Sequence, residues 1–242
     1  MKRTIAIISG ITFICLFALI TVQLAPLYQP QTEELFVFDS SRHTVHSLPY
    51  HANEIRPASF EDFDAIRHPR RAIVVGEVVG PSINRIINLS DDLRDVNVAT
   101  GFNHVVTPVL VHYVIFAGEY IEKIEIGQVI NVREAYYVVT ADTQAYARGF
   151  PTGDVMTILS SWPMEMGNRY LIYLHYNDLD VYRFNGEVVL SAMRRESIYL
   201  LDPSEEARAR MYVPSRPHFI EWWDAAMQTH GHLADLPWVE RS

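Results

Sequence analysis

Between residues 70 and 201 the sequence returns again and again to short runs of β-branched and aromatic residues separated by turn signals. No other feature limits the fold as strongly. Ala72-Ile-Val-Val-Gly-Glu-Val-Val79 reads as a strand, with Gly76 at its centre marking a bend or bulge. Residues 83–89 form a weaker candidate, followed by an acidic loop at Asp91, Asp92 and Asp95. Residues 105–116 predict a long strand, with a bulge or an edge near its start at Pro108. Residues 128–140, 155–159, 168–176, 181–184, 187–192 and 197–201 complete the set, and Asn185-Gly186 is a two-residue hairpin signal. Short strands at this spacing predict a mainly β chain folded as a small antiparallel barrel or sandwich. A first strand bent at a central glycine suits a five-stranded barrel, in which that strand serves both halves of the sheet.

Helical patterns flank the strands. Residues 59–67 predict a short helix capped by Ser59, with Phe60, Phe63 and Ile66 on one face. Residues 217–230 predict a longer one, with Ser215 as a cap, Pro217 near its start and Gly231 beyond its end. Phe219, Trp222, Trp223, Ala226 and Met227 make its apolar stripe. Leu35-Phe-Val-Phe38 predicts a short strand, and 142–153 predicts a loop. No internal repeat is present.

The N-terminus obeys different rules. Residues 5–25 contain no charge, and Lys2 and Arg3 precede them. A helix rising about 1.5 Å per residue would cross roughly 30 Å over this run, the hydrocarbon thickness of a bilayer. The run exceeds the apolar core of a secretory signal, and its best cleavage site, after Ala25, has Gln23 at −3 and Pro26 beyond the cut. Phe13 and Ile14 before Cys15 do not suit a lipoprotein signal. The expectation is one uncleaved transmembrane signal anchor, with secretion after cleavage near Ala25 as the alternative. Lys2 and Arg3 place the N-terminus in the cytoplasm and the bulk of the chain outside.

The exported part is acidic. Two of the 20 Lys and Arg lie in the leader, so 18 face 29 Asp and Glu, a net charge of −11. Such a surface argues against nucleic acid as a partner. Cys15 is the only cysteine, so the exported part has neither a disulfide nor a cysteine nucleophile. Export without cysteine suits a Gram-positive bacterium. Asn88-Leu-Ser90 matches a glycosylation sequon, which has no meaning in such a cell.

The order of motifs adds a resemblance. A helix running into Ala72-Ile-Val-Val-Gly-Glu-Val78, then Val109 to Phe116 with Gly118 behind it, then Ile126-Gly-Gln-Val-Ile-Asn-Val132, then Met166-Gly-Asn-Arg-Tyr-Leu-Ile-Tyr-Leu174, resembles uncharacterised exported or membrane-anchored Gram-positive proteins. Their domain is similar to the OB-like barrel of netrin modules and metalloproteinase inhibitors. The resemblance covers less than half of the chain and implies an OB-like barrel, preceded by one transmembrane helix and flanked by helices. The animal inhibitors block zinc through an N-terminal disulfide-linked cysteine; the cysteine-free exported part of this chain lacks the means. The domain reading is a signal anchor over 1–26, a linker with a short strand over 27–58, the OB-like barrel over 59–202 and a helical extension over 203–242.

No strong enzyme motif is present: no Gly-x-Ser-x-Gly, Ser-x-x-Lys, His-Glu-x-x-His or phosphate-binding glycine loop. His230-Gly-His232 with Asp235 is the best metal candidate; the competing reading is a helix C-terminus whose histidines meet exposed carbonyls. His43, His46 and His51 read as surface histidines. His112 and His175 lie within strands and would form an acid–base or metal site only by converging with Glu134 or Glu119. Asp91, Asp92 and Asp95 lack the glycine and distal glutamate of a calcium loop. Phe219, Trp222, Trp223 and Trp238 read as packing against the barrel, with a ligand platform or the bilayer interface as alternatives. No catalytic, cofactor or metal residue is assigned, and no cofactor is called.

The expected function is an exoplasmic, membrane-anchored binding module. Its partners would be the membrane through residues 5–25 and an envelope protein, peptide or glycan held by the barrel face and the loops 80–104 and 141–153. The alternative is a cell-envelope hydrolase or metal-dependent enzyme using histidines and carboxylates.

Overall fold

A computed structural model describes residues 32–47, 59–87, 103–121, 124–157, 162–176, 183–184, 187–192, 197–202, 204–206, 209, 217–237 and 239. The apolar run 5–25, His51, the acidic loop at Asp91, Asp92 and Asp95, Asn88, Ser90, Ser215 and Trp238 lie outside the described residues. Among the described residues no helix is long and apolar enough to cross a membrane.

In chain order the elements are β1 (Thr32–Phe36), β2 (Val45–Ser47), α1 (Phe60–Asp64), β3 (Arg71–Val78), β4 (Ser82–Ile86), β5 (His104–Ala117) and β6 (Val129–Glu134). They continue as β7 (Tyr136–Val138), α2 (Gln144–Ala147), β8 (Val155–Thr157), β9 (Arg169–His175), β10 (Arg183–Phe184), β11 (Glu187–Val188), β12 (Leu190–Ala192) and β13 (Ile198–Leu200). The chain then forms α3 (Pro217–His230) and a 3-10 turn (Gly231–Asp235). It is mainly β with few helices.

Five strands close into a barrel: β3 pairs with β5, β5 with β6, β6 with β12, β12 with β9, and β9 with β3. Four pairings are antiparallel, but β6 and β12 run parallel, with Leu190 opposite Val132 and Ala192 opposite Glu134. The expected antiparallel barrel is thus modified at one seam: a closed ring of five strands cannot alternate direction all the way round, so one neighbouring pair must run parallel, and it is β6 with β12.

The bend expected at Gly76 is present. β3 pairs along its length with both β5 and β9, and the β5 register shifts between Ile73 and Val74 and again between Val75 and Gly76. A Cβ at residue 76 would overlap Val109 Cγ1 and sit 3.3 Å from the Leu110 carbonyl, so this close approach requires glycine. Pro108 marks a corner. Residues before it pair with β4, and Val109 onward pairs with β3. A residue without an N–H costs least where the strand changes neighbours.

The stretch 128–140 is two strands, not one. Beyond Ala135 the chain leaves the barrel, and β7 joins β8 and β2 in a separate three-stranded sheet. β2 and α2 fall where the sequence predicts a linker and a loop. β1 extends the barrel sheet by pairing with β4.

Every residue of β3 is buried, although a barrel strand normally shows one face to water. The outer face is covered by the flanking helices. Ser59 caps α1 as expected, accepting from the Asp62 N–H at 3.2 Å. Phe60 and Phe63 join the main core with Ile73, Leu171, Tyr199 and Trp223. Trp223 is 3% exposed and donates its indole N–H to the Leu200 carbonyl at 3.1 Å.

Candidate functional site

Three adjacent strands bring Arg169, Glu77 and His112 together. Glu77 on β3 stands directly opposite Arg169 on β9 and Leu110 on β5. His112, two residues on, falls where the β5 register against β3 shifts between Val111 and Tyr113. His112 Nε2 lies 3.0 Å from Glu77 Oε2. All three side chains are buried.

The C-terminal segment forms the cover. Arg169 Nη1 donates to the carbonyls of Ala234 and Leu236 at 2.9 and 2.8 Å. The Val239 N–H donates to His112 Nδ1 at 3.1 Å. A ring nitrogen that accepts carries no proton, so Nε2 holds it and donates to Glu77. Both ring nitrogens of His112 are thus engaged. Burial lowers the Arg169 pKa, against the opposing effect of the Glu77 charge.

A second polar group ties the two helices to the barrel. Asp64, at the end of α1, accepts from Tyr173 Oη at 2.7 Å and from His230 Nε2 at 3.1 Å. Burial pushes the Asp64 pKa up, but the hydrogen bonds from His230 and Tyr173 outweigh it and hold the carboxyl below its ordinary value. The Arg71 guanidinium lies 4.3 Å from the Phe63 ring centre and 4.8 Å from that of Tyr173, and donates to the Phe63 carbonyl at 2.7 Å. Around this group Trp222 meets Phe60 edge-on and Phe63 at a tilt.

A third group is wholly interior. Glu134 Oε1 shares a hydrogen bond with Thr107, Oε2 accepts from the Met164 N–H at 2.9 Å, and Thr107 lies 2.8 Å from Ser82 Oγ. Burial pushes the Glu134 pKa up to about 8, against the smaller effect of its hydrogen bonds. Burial also drives the neighbouring Tyr136 phenol well above its usual range.

The sequence-predicted candidates separate. His112 meets Glu77 rather than His175, Glu134 or Glu119. His175 sits exposed at the end of β9 with its ring 6.2 Å from that of His68, and Glu119 is exposed on the turn after β5. His230 turns inward to Asp64, whereas His232 and Asp235 are exposed. Among the described residues no group of three or more His, Cys, Asp and Glu could hold a metal ion. His43 engages the Asp39 backbone and stacks on Phe38, and His46 pairs with Asp154 at 2.7 Å. Trp222 and Trp223 pack against the barrel. Glu77 and Arg169 were not singled out from the sequence. The available signal was an acid directly after the glycine of an otherwise apolar strand. No protein-family model and no curated protein matches the chain.

Proposed function

We propose that the chain is an exoplasmic binding module, anchored by residues 5–25 and built on an OB-like barrel, and that it is not an enzyme. The barrel order supports the OB-like part: numbered along the barrel, its strands run 1-2-3-5-4-1, with a bent first strand serving both halves. The charge-free leader, the thiol-free remainder and its acidity support exposure beyond a membrane. In its motif order the chain resembles the anchored Gram-positive group.

The observation that carries binding over catalysis is the engagement of His112. A general base or a metal ligand needs a ring nitrogen lone pair aimed at open space. Here Nδ1 faces the Val239 N–H and Nε2 faces Glu77. His230, also buried with a carboxylate partner, is held against Asp64 beneath the aromatic cluster.

One observation favours the rival envelope-hydrolase reading: a histidine oriented by a buried carboxylate is the base half of a catalytic triad. Two measurements separate the readings. Protease accessibility in intact and opened cells tests the placement, and finding residues 32–242 on the cytosolic side overturns it. A thermal-shift screen of the detergent-solubilised chain against cell-wall peptides, glycans and lipid headgroups is expected to yield a stabilising ligand. Turnover of ester or amide substrates that is abolished by H112A overturns the binding reading.

A further inference from the structure

We propose that the tip of the loop between β7 and β8, carrying Tyr146 and Arg148, rests on the headgroup layer of the membrane that holds residues 5–25. This placement rests on the anchored reading and gives the barrel its orientation on the bilayer.

Chain length limits where the barrel can stand. Six residues separate Ala25, the end of the apolar run, from Thr32, the start of β1. Fully extended, they reach at most about 25 Å from the bilayer surface. Thr32 pairs with Ile86, the last residue of β4. Ile86 belongs to a small core with Tyr137, Val139, Ala145 and Met156, and Phe150 packs against it. Ala145 and Phe150 flank the tip, so one core joins the strand nearest the leader to the loop that carries Tyr146.

The N-terminal segment fastens the loop a second time. β2 pairs in parallel with β8 at the base of the loop. His46 on β2 meets Asp154 at 2.7 Å and lies edge-on to the Phe150 ring at 4.9 Å. Within the loop, Thr143 Oγ1 donates to the Thr140 carbonyl at 2.8 Å and accepts from the Tyr146 N–H at 3.4 Å. These contacts bury Ala145 and leave Tyr146, Ala147 and Arg148 exposed, so the tip is a braced projection.

The projecting side chains suit a lipid interface. Tyrosine sets its ring at headgroup level with its hydroxyl in water, and a guanidinium pairs with phosphate oxygens. Residues 142–150 hold one acid, Asp142, and one base, Arg148, whereas the exported part as a whole has 18 Lys and Arg against 29 Asp and Glu. The tip can therefore approach an anionic bilayer without the repulsion that the rest of the surface would meet. The exposed residue Ile126 lies elsewhere. His104 starts β5 opposite Arg85, whereas Val111, which accepts from the Gly127 N–H, stands seven residues farther on. That is roughly 23 Å along the strand.

The test uses the full-length chain in vesicles of phosphatidylglycerol and phosphatidylethanolamine, with C15S as the background. A147C or I126C carries a fluorophore, which lipids with a nitroxide on the headgroup quench. Both positions are exposed, so labelling spares the core. The label at position 147 is expected to lose at least half of its emission, and the label at 126 less than a tenth. Y146S/R148E in the A147C chain is expected to reduce the quenching at least twofold, a response that proximity to the tether alone would not give. Where the chain floats with the vesicles, equal quenching at both positions, stronger quenching at 126, or no response to Y146S/R148E overturns the docking and leaves the anchor standing. Quenching at 147 in native membranes but not in pure lipid assigns the tip to a protein partner and overturns it too. A chain that does not float overturns the anchored reading and the docking with it.

Discussion

His230 at the end of α3 and Asp64 at the end of α1 hydrogen-bond at 3.1 Å, across 166 residues of sequence. The contact fastens the last helix to the first against Tyr173 of the barrel. Asp64 has a pKa below its ordinary 3.8, so the folded chain holds this group ionised where the unfolded chain takes up a proton. Its contribution is complete above pH 3.8 and disappears as pH falls through the lower folded value. D64N is therefore expected to destabilise the chain at pH 6 and to flatten the acid limb of its stability below pH 4. Urea unfolding followed by tryptophan fluorescence between pH 3 and 6 measures both effects.

Glu134 titrates in the opposite sense. Its carboxyl ionises at about 8 in the fold, against 4.5 in an exposed chain. The folded state thus holds the extra proton between these values, and stability falls as pH rises through that window. The slope from this group alone approaches about 1.4 kcal/mol per pH unit. E134Q keeps the shape and removes the titration. Its stability is expected to be nearly flat from pH 5 to 8, overtaking the wild type at the alkaline end. A parallel decline in both proteins would show that the slope has another source.

Gly76 admits no side chain. G76A forces a methyl group against Val109 Cγ1 and is expected to cost about 1–3 kcal/mol. V109A opens that space, so the double variant should recover part of the loss. Chemical denaturation of the two singles and the double gives the coupling, and simple additivity would dismiss the contact.

Glu77 and His112 form a buried pair at 3.0 Å. E77A removes the carboxylate that His112 Nε2 meets, with an expected cost of about 1–3 kcal/mol. At roughly 2–4 °C per kcal/mol for a chain of this size, the melting temperature should fall by several degrees. Calorimetry measures it; a change below one degree would mean that water replaces the carboxylate.

The barrel was legible in the sequence because period-two runs and glycine carry local information. Gly76, Pro108 and the Ser59 cap each act on their own backbone. The parallel meeting of β6 and β12 was not legible, since Leu190 and Val132 carry no local mark of each other. Nor was the division at Ala135: β6 and β7 are both rich in strand formers, and only their separate partners distinguish them. For the site, His112 is visible in the sequence as a histidine within a strand, but the sequence points to Glu134 or Glu119 as its partner, not to Glu77. Which acid it meets depends on the register of β3 against β5, and that register is shifted by the irregularities at Gly76.

The parallel seam sets the order in which the molecule can assemble. A chain emerging from its N-terminus completes β3, β5 and β6 early, but the second edge of β6 has no neighbour until Leu190–Ala192 arrives. During that interval a row of bare amides and carbonyls faces outward, open to any passing strand. Newly made chains should therefore depend on a holding chaperone until residue 192 is out, and halting synthesis just before β12 should yield the most aggregation-prone fragment.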